Sequence, residues 1–263
     1  MNFNYCNMKK IFLSIAAAAA LVACGSNAPK ALTPAEGTVQ YDKAYDCDTY
    51  TTAEGRQVAI TFIKHGTLML DIDGSTVHID PVAMFGTDYA AMPKADLVLV
   101  SHEHGDHLDS AAVAAVTKEN TVVLTSAAVA EKIASQPLAI GETVDMGGYT
   151  VTGVYAYNCT PGHENFHPKG HGLGFVFDVD DLRIYVAGDT EDIPELAELK
   201  DIDIAFLPVN QPYTMTPEQC INAIGMFKPA IVYPYHFGET DLTPVTSAFE
   251  GSAETRIIIR QMQ

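Results

Sequence analysis

The sequence predicts a layered α/β domain, and three features predict it. A set of short alternating strands opens the chain's body, a strand of almost continuous apolar residues runs straight into a histidine-rich loop, and extended and helical segments then alternate to the end. Residues 58–63, 67–72 and 76–80 read as the opening strands, with Asp73-Gly74 as a tight hairpin turn between the second and third. That arrangement is antiparallel. Residues 95–100 (Ala-Asp-Leu-Val-Leu-Val) have the pattern of a strand buried on both faces, and residues 109–118 read as a helix after it. In the second half, residues 121–125, 150–157, 174–179, 183–187, 202–208 and 230–234 read as strands, with Asp180-Asp181 joining the third and fourth of these. Helices are expected over 127–134 and 216–227, the latter opened by Thr216 with Pro217 in its first turn. The two halves share a rhythm without any repeat of fixed period.

Ahead of this body the chain reads as an export signal. Lys9-Lys10 precede an apolar run from Ile11 to Val22 that is too short to span a bilayer comfortably, and Met8 is a possible start. Leu21-Val22-Ala23-Cys24-Gly25 resembles a bacterial lipobox, which implies a leader over 1–23, a lipidated Cys24 and attachment to a membrane of the cell envelope. Residues 24–38 are rich in Ser, Asn, Ala, Pro and Thr and read as a tether, leaving 39–263 as the folded domain. The chain carries 33 acidic against 15 basic residues, a net charge of −18, and no basic cluster longer than Lys9-Lys10. Such a field repels polyphosphate, so nucleic acid is excluded as a partner and a small molecule is expected. Cys47, Cys159 and Cys220 do not suggest a disulfide framework, and Cys159 is expected to be a small buried residue.

The chemistry concentrates in Ser101-His-Glu-His-Gly-Asp-His107. Residues two apart at a strand end point the same way, so His102 and His104 can close on one metal while Asp106 and His107 continue around the turn towards a second. Gly105 permits the tight path. His78 alternates with Val77 and Ile79 in a strand and is expected to be structural. Aspartate in a Gly-Asp-Thr turn such as Gly188-Asp189-Thr190 is by itself an ordinary turn or cap residue.

The His-x-His-x-Asp-His pattern resembles the signature of the metallo-β-lactamase superfamily, and the resemblance runs from about Val58 to the C-terminus. Asp80-Pro81, Ala187-Gly188-Asp189-Thr190 and Pro234-Tyr235-His236-Phe237-Gly238 follow in the expected order. Phe62-Ile-Lys-His65-Gly-Thr and Ile184-Tyr-Val-Ala-Gly-Asp-Thr190 are most similar to the branch that includes L-ascorbate-6-phosphate lactonase. The resemblance implies an αββα four-layer sandwich and two divalent ions, zinc first, with manganese or iron as alternatives. It implies that Asp189 bridges the ions, that His236 completes the second, and that His65 supports either a metal-binding carboxylate or Asp80. Asn158 stands where many relatives carry a histidine. Phe166-His-Pro-Lys-Gly170 followed by Gly174-Phe175 resembles a subgroup whose ligand sits on that loop, which implies His167 as the third ligand beside His102 and His104, with His163 and then His171 as alternatives.

The implied reaction is hydrolysis of a small ester, lactone or phosphoester by a hydroxide held between the metals, with Asp106 and Asp189 as the catalytic carboxylates. Lys169, Asn210, Tyr213 and Tyr235 are candidates to touch substrate, although Tyr213 reads more naturally as ordinary surface. A lipid-anchored metal-binding or ligand-sensing protein and a di-iron redox protein are the competing readings.

Overall fold

The computed structural model describes residues 32–262. The leader over 1–23, Cys24 and most of the tether lie outside the described residues. The first sheet has eight strands in sequence order: β1 (Ala35–Gln40), β2 (Ala44–Thr51), β3 (Gln57–Lys64), β4 (Thr67–Ile72), β5 (Ser75–Ile79), β6 (Leu97–Val100), β7 (Val122–Thr125) and β8 (Gln136–Pro137). It is antiparallel as far as β5 and parallel from β5 to β8. Helices α1 (Ser110–Val116) and α2 (Ala127–Ala130) lie in its later connections.

The second sheet repeats the plan with β9 (Thr143–Asp145), β10 (Thr150–Ala156), β11 (Gly172–Val179), β12 (Leu182–Val186), β13 (Ile204–Pro208), β14 (Ile231–Tyr235) and β15 (Arg256–Ile257). It too is antiparallel up to β12 and parallel beyond it. Helix α3 (Pro217–Phe227) joins β13 to β14, and α4 (Thr243–Ala248) precedes β15.

Side-chain alternation explains the layering. Val58, Ile60 and Phe62 on β3 and Leu97 and Leu99 on β6 enter the core shared with the second sheet. The intervening Val98 and Val100 pack instead with Ala112, Val113 and Val116 of α1 and Val129 of α2. The Phe62 ring lies 4.9 Å from that of Tyr233 and 6.1 Å from that of Phe206, so the two sheets meet face to face. On the far face Tyr185 meets Phe227 of α3 edge-on at 5.8 Å. The result is the four-layer αββα sandwich that the family resemblance implies.

Several boundaries differ from those expected. β1 begins at Ala35, within the stretch read as tether, and β2 also precedes the first strand expected. Both carry many polar residues. Asp48, in β2, is buried because Arg260 holds it through a bidentate pair at 2.9–3.0 Å and the Tyr233 hydroxyl also bonds it. Tyr50 and Tyr233 share a further hydrogen bond at 2.5 Å, tying β2 to β14 across the core. The helix expected over 127–134 ends at Ala130, because the chain returns to add β8 beside β7 and Thr125 Oγ1 bonds Ser135 Oγ at 2.8 Å.

His78 sits wholly buried in β5, where Nε2–H donates to Pro93 O at 3.0 Å. Burial lowers its pKa to about 4. Between the ordinary value of 6.5 and about 4, the unfolded chain takes up a proton that the native chain does not, so stability falls as pH drops through that window. The loss amounts to about 3 kcal/mol at most. Urea titrations from pH 7 to pH 4 are expected to show a shallower decline for His78→Leu than for the parent. Identical pH dependence would show that His78 does not carry this linkage.

Candidate metal centre

The parallel strands of both sheets deliver their carboxyl ends to one edge, the usual place for a site in α/β proteins. Asp80 follows β5, His102 to His107 follow β6, Asp189 follows β12 and His236 follows β14. His65 follows β3, and the connection from β10 to β11 carries Asn158 and His167. Of the seven non-glycine residues at positive φ among the described residues, His65 (55°), Asp80 (47°) and His236 (47°) stand here, while the other four occupy turns, bends or a helix end. Left-handed backbone is costly for such residues and concentrates where side chains must be aimed.

Two glycines make room. A Cβ on Gly66 would lie 2.6 Å from Cε1 of His107, and one on Gly188 (φ 64°) would lie 2.4 Å from Leu173 O. Gly188 thus lets the chain pass close to β11 just before presenting Asp189. The Tyr235 hydroxyl donates to Gly188 O at 3.2 Å and holds that turn from β14.

Asp189 is 4% exposed and lies at the middle of the cluster. Its Oδ2 is 3.3 Å from Nε2 of both His167 and His236, and its Oδ1 is 3.3 Å from Nε2 of His107. Donor atoms of His102, His104 and His167 form one compact group, and those of His65, Asp106, His107 and His236 form another. His102 Nε2 approaches His104 Nδ1 at 3.2 Å. Asp106 Oδ2 is 3.1 Å from His65 Nε2 and 3.4 Å from His236 Nε2.

Hydrogen bonds behind the cluster orient these nitrogens. His107 Nδ1–H donates to Asp80 Oδ2 at 2.7 Å. The same oxygen accepts from Ser101 Oγ at 2.7 Å, and Ser101 Oγ in turn accepts from His102 Nδ1–H at 3.0 Å. Asp80 Oδ1 accepts the Ser101 backbone N–H at 2.7 Å. One buried carboxylate therefore fixes the tautomers of two histidines and leaves both Nε2 atoms facing Asp189. His167 Nδ1–H points at Tyr213 O (3.0 Å) and Asn158 Oδ1 (3.1 Å), which leaves its Nε2 free in the same way.

Charge and burial compete throughout. Burial, then the neighbouring His107, holds the His102 pKa well below its ordinary value. For His236 burial acts in the same direction, but Asp189 and Asp106 outweigh it and raise the pKa to about 9. Burial opposes ionisation of Asp189, yet His107 and His236 hold its carboxyl well below the usual range.

The donor set fits divalent metal. Nε2 of His107, His167 and His236 and Oδ1 of Asp189 are buried without hydrogen-bond partners, which is costly unless something else engages them. Ligands about 2.0–2.1 Å from a tetrahedral ion stand about 3.3 Å apart, the spacing these atoms already have.

Not every candidate joins the cluster. His163 Nδ1 turns to Glu191 Oε1 at 3.2 Å, and His171 is exposed with Glu103 at 3.9 Å. Asn158 is not a bystander but orients His167. Two substrate-contact expectations are corrected: Tyr235 is buried under Gly188, and Lys169 is held by Glu195 Oε1 at 2.5 Å and Tyr157 at 3.3 Å. Cys159, expected to be buried, is exposed, its backbone N–H bonded to the buried Glu191. A cavity of about 650 Å3 opens over Asp106 and Asp189, and Asn210 and Tyr213 line it. Met84, Phe85 and Phe166 also line it, and sequence reasoning missed them. Their only signal was apolar bulk inside loops punctuated by Pro and Gly.

A sequence model of the Beta-lactamase superfamily domain matches residues 59–236. Over 222 residues the chain is 33% identical to a UPF0173 metal-dependent hydrolase of Pelotomaculum thermopropionicum, covering 76% of this chain and 96% of that one. A crystal structure from Parabacteroides distasonis, described as that of a candidate metal-dependent hydrolase, shares 44% identity at a TM-score of 0.81, over 83% of this chain and 100% of its own. Igni18, a metallo hydrolase from Ignicoccus hospitalis, is alike in fold, with 23% identity and a TM-score of 0.63 over 78% of this chain and 95% of its own. Identity that extends across nearly the whole length of such relatives, on a shared fold, means that the chain belongs to the beta-lactamase superfamily and, within it, to the UPF0173 metal-dependent hydrolases.

Proposed function

We propose that the protein hydrolyses a small ester, lactone or phosphoester with two divalent ions, zinc ahead of manganese or iron. His102, His104 and His167 would hold one ion, Asp106, His107 and His236 the other, and Asp189 would reach both. When bound, the ions supply a water acidified to near-neutral pKa and positive charge for an oxygen that becomes negative in the transition state. The single observation that carries this reading is the buried Asp189 carboxylate, with its two oxygens 3.3 Å from nitrogens belonging to both histidine groups.

Around that centre the protein's own side chains orient the reacting groups. Asp106, fixed by His65, keeps part of its carboxylate open to the cavity and is placed to orient an attacking water while remaining a ligand. Ser101 and Asp80 hold His102 and His107, while Tyr213 O and Asn158 hold His167, so the donor nitrogens are aimed before any ligand arrives. The motif resemblance to the lactonase branch favours a lactone or ester carbonyl as the reacting group. A cavity of about 650 Å3 and a net charge of −18 suit a small molecule and disfavour nucleic acid.

Elemental analysis of the purified protein, followed by assays on lactone, ester, amide and phosphodiester panels, tests the proposal. Turnover is expected to vanish with a chelator and return with zinc or manganese. A fully metallated protein that hydrolyses nothing in those panels would favour a binding or sensing role on the same fold.

A further inference from the structure

We infer that the substrate is uncharged away from its scissile bond and carries an apolar chain or ring that lies against a wall formed by Met84, Phe85, Phe166 and Tyr213. This rests on the hydrolase reading above and selects within it. All four residues line the cavity that also contains His104, Asp106, Asp189 and His236. Phe166 and Tyr213 meet edge to face at 5.2 Å, and Phe85 lies 4.7 Å from the His65 ring, so the wall is continuous with the cluster. Among the described residues the large hydrophobic side chains left exposed are Met84 (65%), Tyr213 (47%) and Ile259 (40%), and the first two stand at this one cavity. Apolar residues exposed together around a concave site mark a surface that a ligand covers.

The charges point the same way. Among the described residues no Lys or Arg lines the cavity, whose ionised side chains away from the histidines are Asp106 and Asp189. Lys169, the cation on the loop beside His167, is engaged by Glu195 and Tyr157 and lies over the rings of Tyr155 and Tyr157 at 4.8 and 4.7 Å. A phosphate or carboxylate placed beyond the reacting bond would lose water here and gain no counter-charge. Asn210 offers a neutral amide instead. In the reaction, the oxygen of water joins the acyl carbon, the acyl C–O bond breaks, and a proton ends on the departing oxygen to give an acid and an alcohol.

The test uses the full chain loaded with zinc or manganese. Values of kcat/KM are compared for p-nitrophenyl acetate, butyrate and hexanoate, and for the p-nitrophenyl half-ester of succinate, which resembles the butyrate but ends in a carboxylate. Lactones with and without an alkyl tail and a phosphorylated sugar lactone extend the series. Binding is read independently of turnover by saturation-transfer NMR with cyclopentanone and hexylcyclopentanone, which mimic a lactone but cannot be hydrolysed.

The expected result is a rise of about two- to fourfold per methylene and a succinate half-ester at least about tenfold slower than the butyrate. Met84→Ser and Phe166→Ala should lower kcat/KM for hexanoate more than for acetate and weaken hexylcyclopentanone binding, with Phe166→Leu restoring much of it. Because Phe166 adjoins His167, the Met84 variant provides the separate reading. Flat chain-length dependence, or faster turnover of the succinate or phosphorylated substrates, would overturn the inference. If no substrate is hydrolysed yet the hexyl ketone outbinds its parent in a Met84-dependent way, the hydrolase reading fails and the wall stands. If neither ketone binds differently, the wall fails as well.

Discussion

Replacing Asp189 by asparagine is expected to cut hydrolysis by on the order of a thousandfold or more, the range seen when a group indispensable to charge stabilisation is removed. Asp189 is the carboxylate within reach of both histidine groups, at 3.3 Å from His107, His167 and His236. Asparagine keeps the volume but offers one oxygen rather than two and removes the negative charge. Metal content measured by mass spectrometry should fall below that of the parent, and added zinc or manganese should not restore turnover. The fold should persist by circular dichroism, because Gly188 and Tyr235 hold the turn through backbone contacts that the substitution leaves alone. His78→Leu serves as the control, since His78 bonds Pro93 O and not the cluster, and it should lose much less activity. Equal turnover and equal metal content in Asp189→Asn and the parent would eliminate the two-metal reading.

The sequence made the fold legible where one physical signal dominated. The apolar run of β6 and the alternation in β3 to β5 announce buried strands because hydrophobic burial alone sets their faces. β2 was illegible because its inward Asp48 is satisfied by Arg260, 212 positions further along the chain. No local pattern reports such a pairing. The short β8, β9 and β15 carry too few residues for any period to register.

The site divides in the same way. His102, His104, Asp106 and His107 are local, and one strand end presents them all. Asp189 and His236 each follow an apolar strand, but they were legible as site residues only through the family resemblance, since a Gly-Asp-Thr turn alone reads as an ordinary turn or cap. The choice among His163, His167 and His171 turned on tertiary partners: Glu191 draws His163 aside, whereas Tyr213 O and Asn158 aim His167 inwards. Lys169 misled for a related reason, since Glu195 lies on a different element and claims its ammonium. The apolar wall is the least legible part, because Met84 and Phe85 come from one loop and Phe166 and Tyr213 from two others.

Replacing Asp80 by asparagine is expected to weaken metal binding by about 10- to 100-fold, the usual consequence of losing the partner that orients a ligating histidine. Asparagine tolerates the left-handed backbone at this position (φ 47°), so the effect should come from the carboxylate and not from the turn. In Asp80→Asn the introduced amide oxygen can still accept the Ser101 N–H, but the NH2 then faces His107 Nδ1 and Ser101 Oγ, both of which donate to the native carboxylate. Two donors cannot share that contact. His107 is then driven to the tautomer with its proton on Nε2, the nitrogen that should face the metal, and the Ser101 link to His102 is disturbed together with it. Competition with a fluorescent zinc chelator measures the affinity, and the deficit in turnover should shrink as zinc is raised, unlike that of Asp189→Asn. Ser101→Ala, which interrupts only the branch to His102, should cost less. An unchanged affinity in Asp80→Asn, with His107 still coordinating by NMR, would show that the buried carboxylate supports the fold without setting the histidine tautomers.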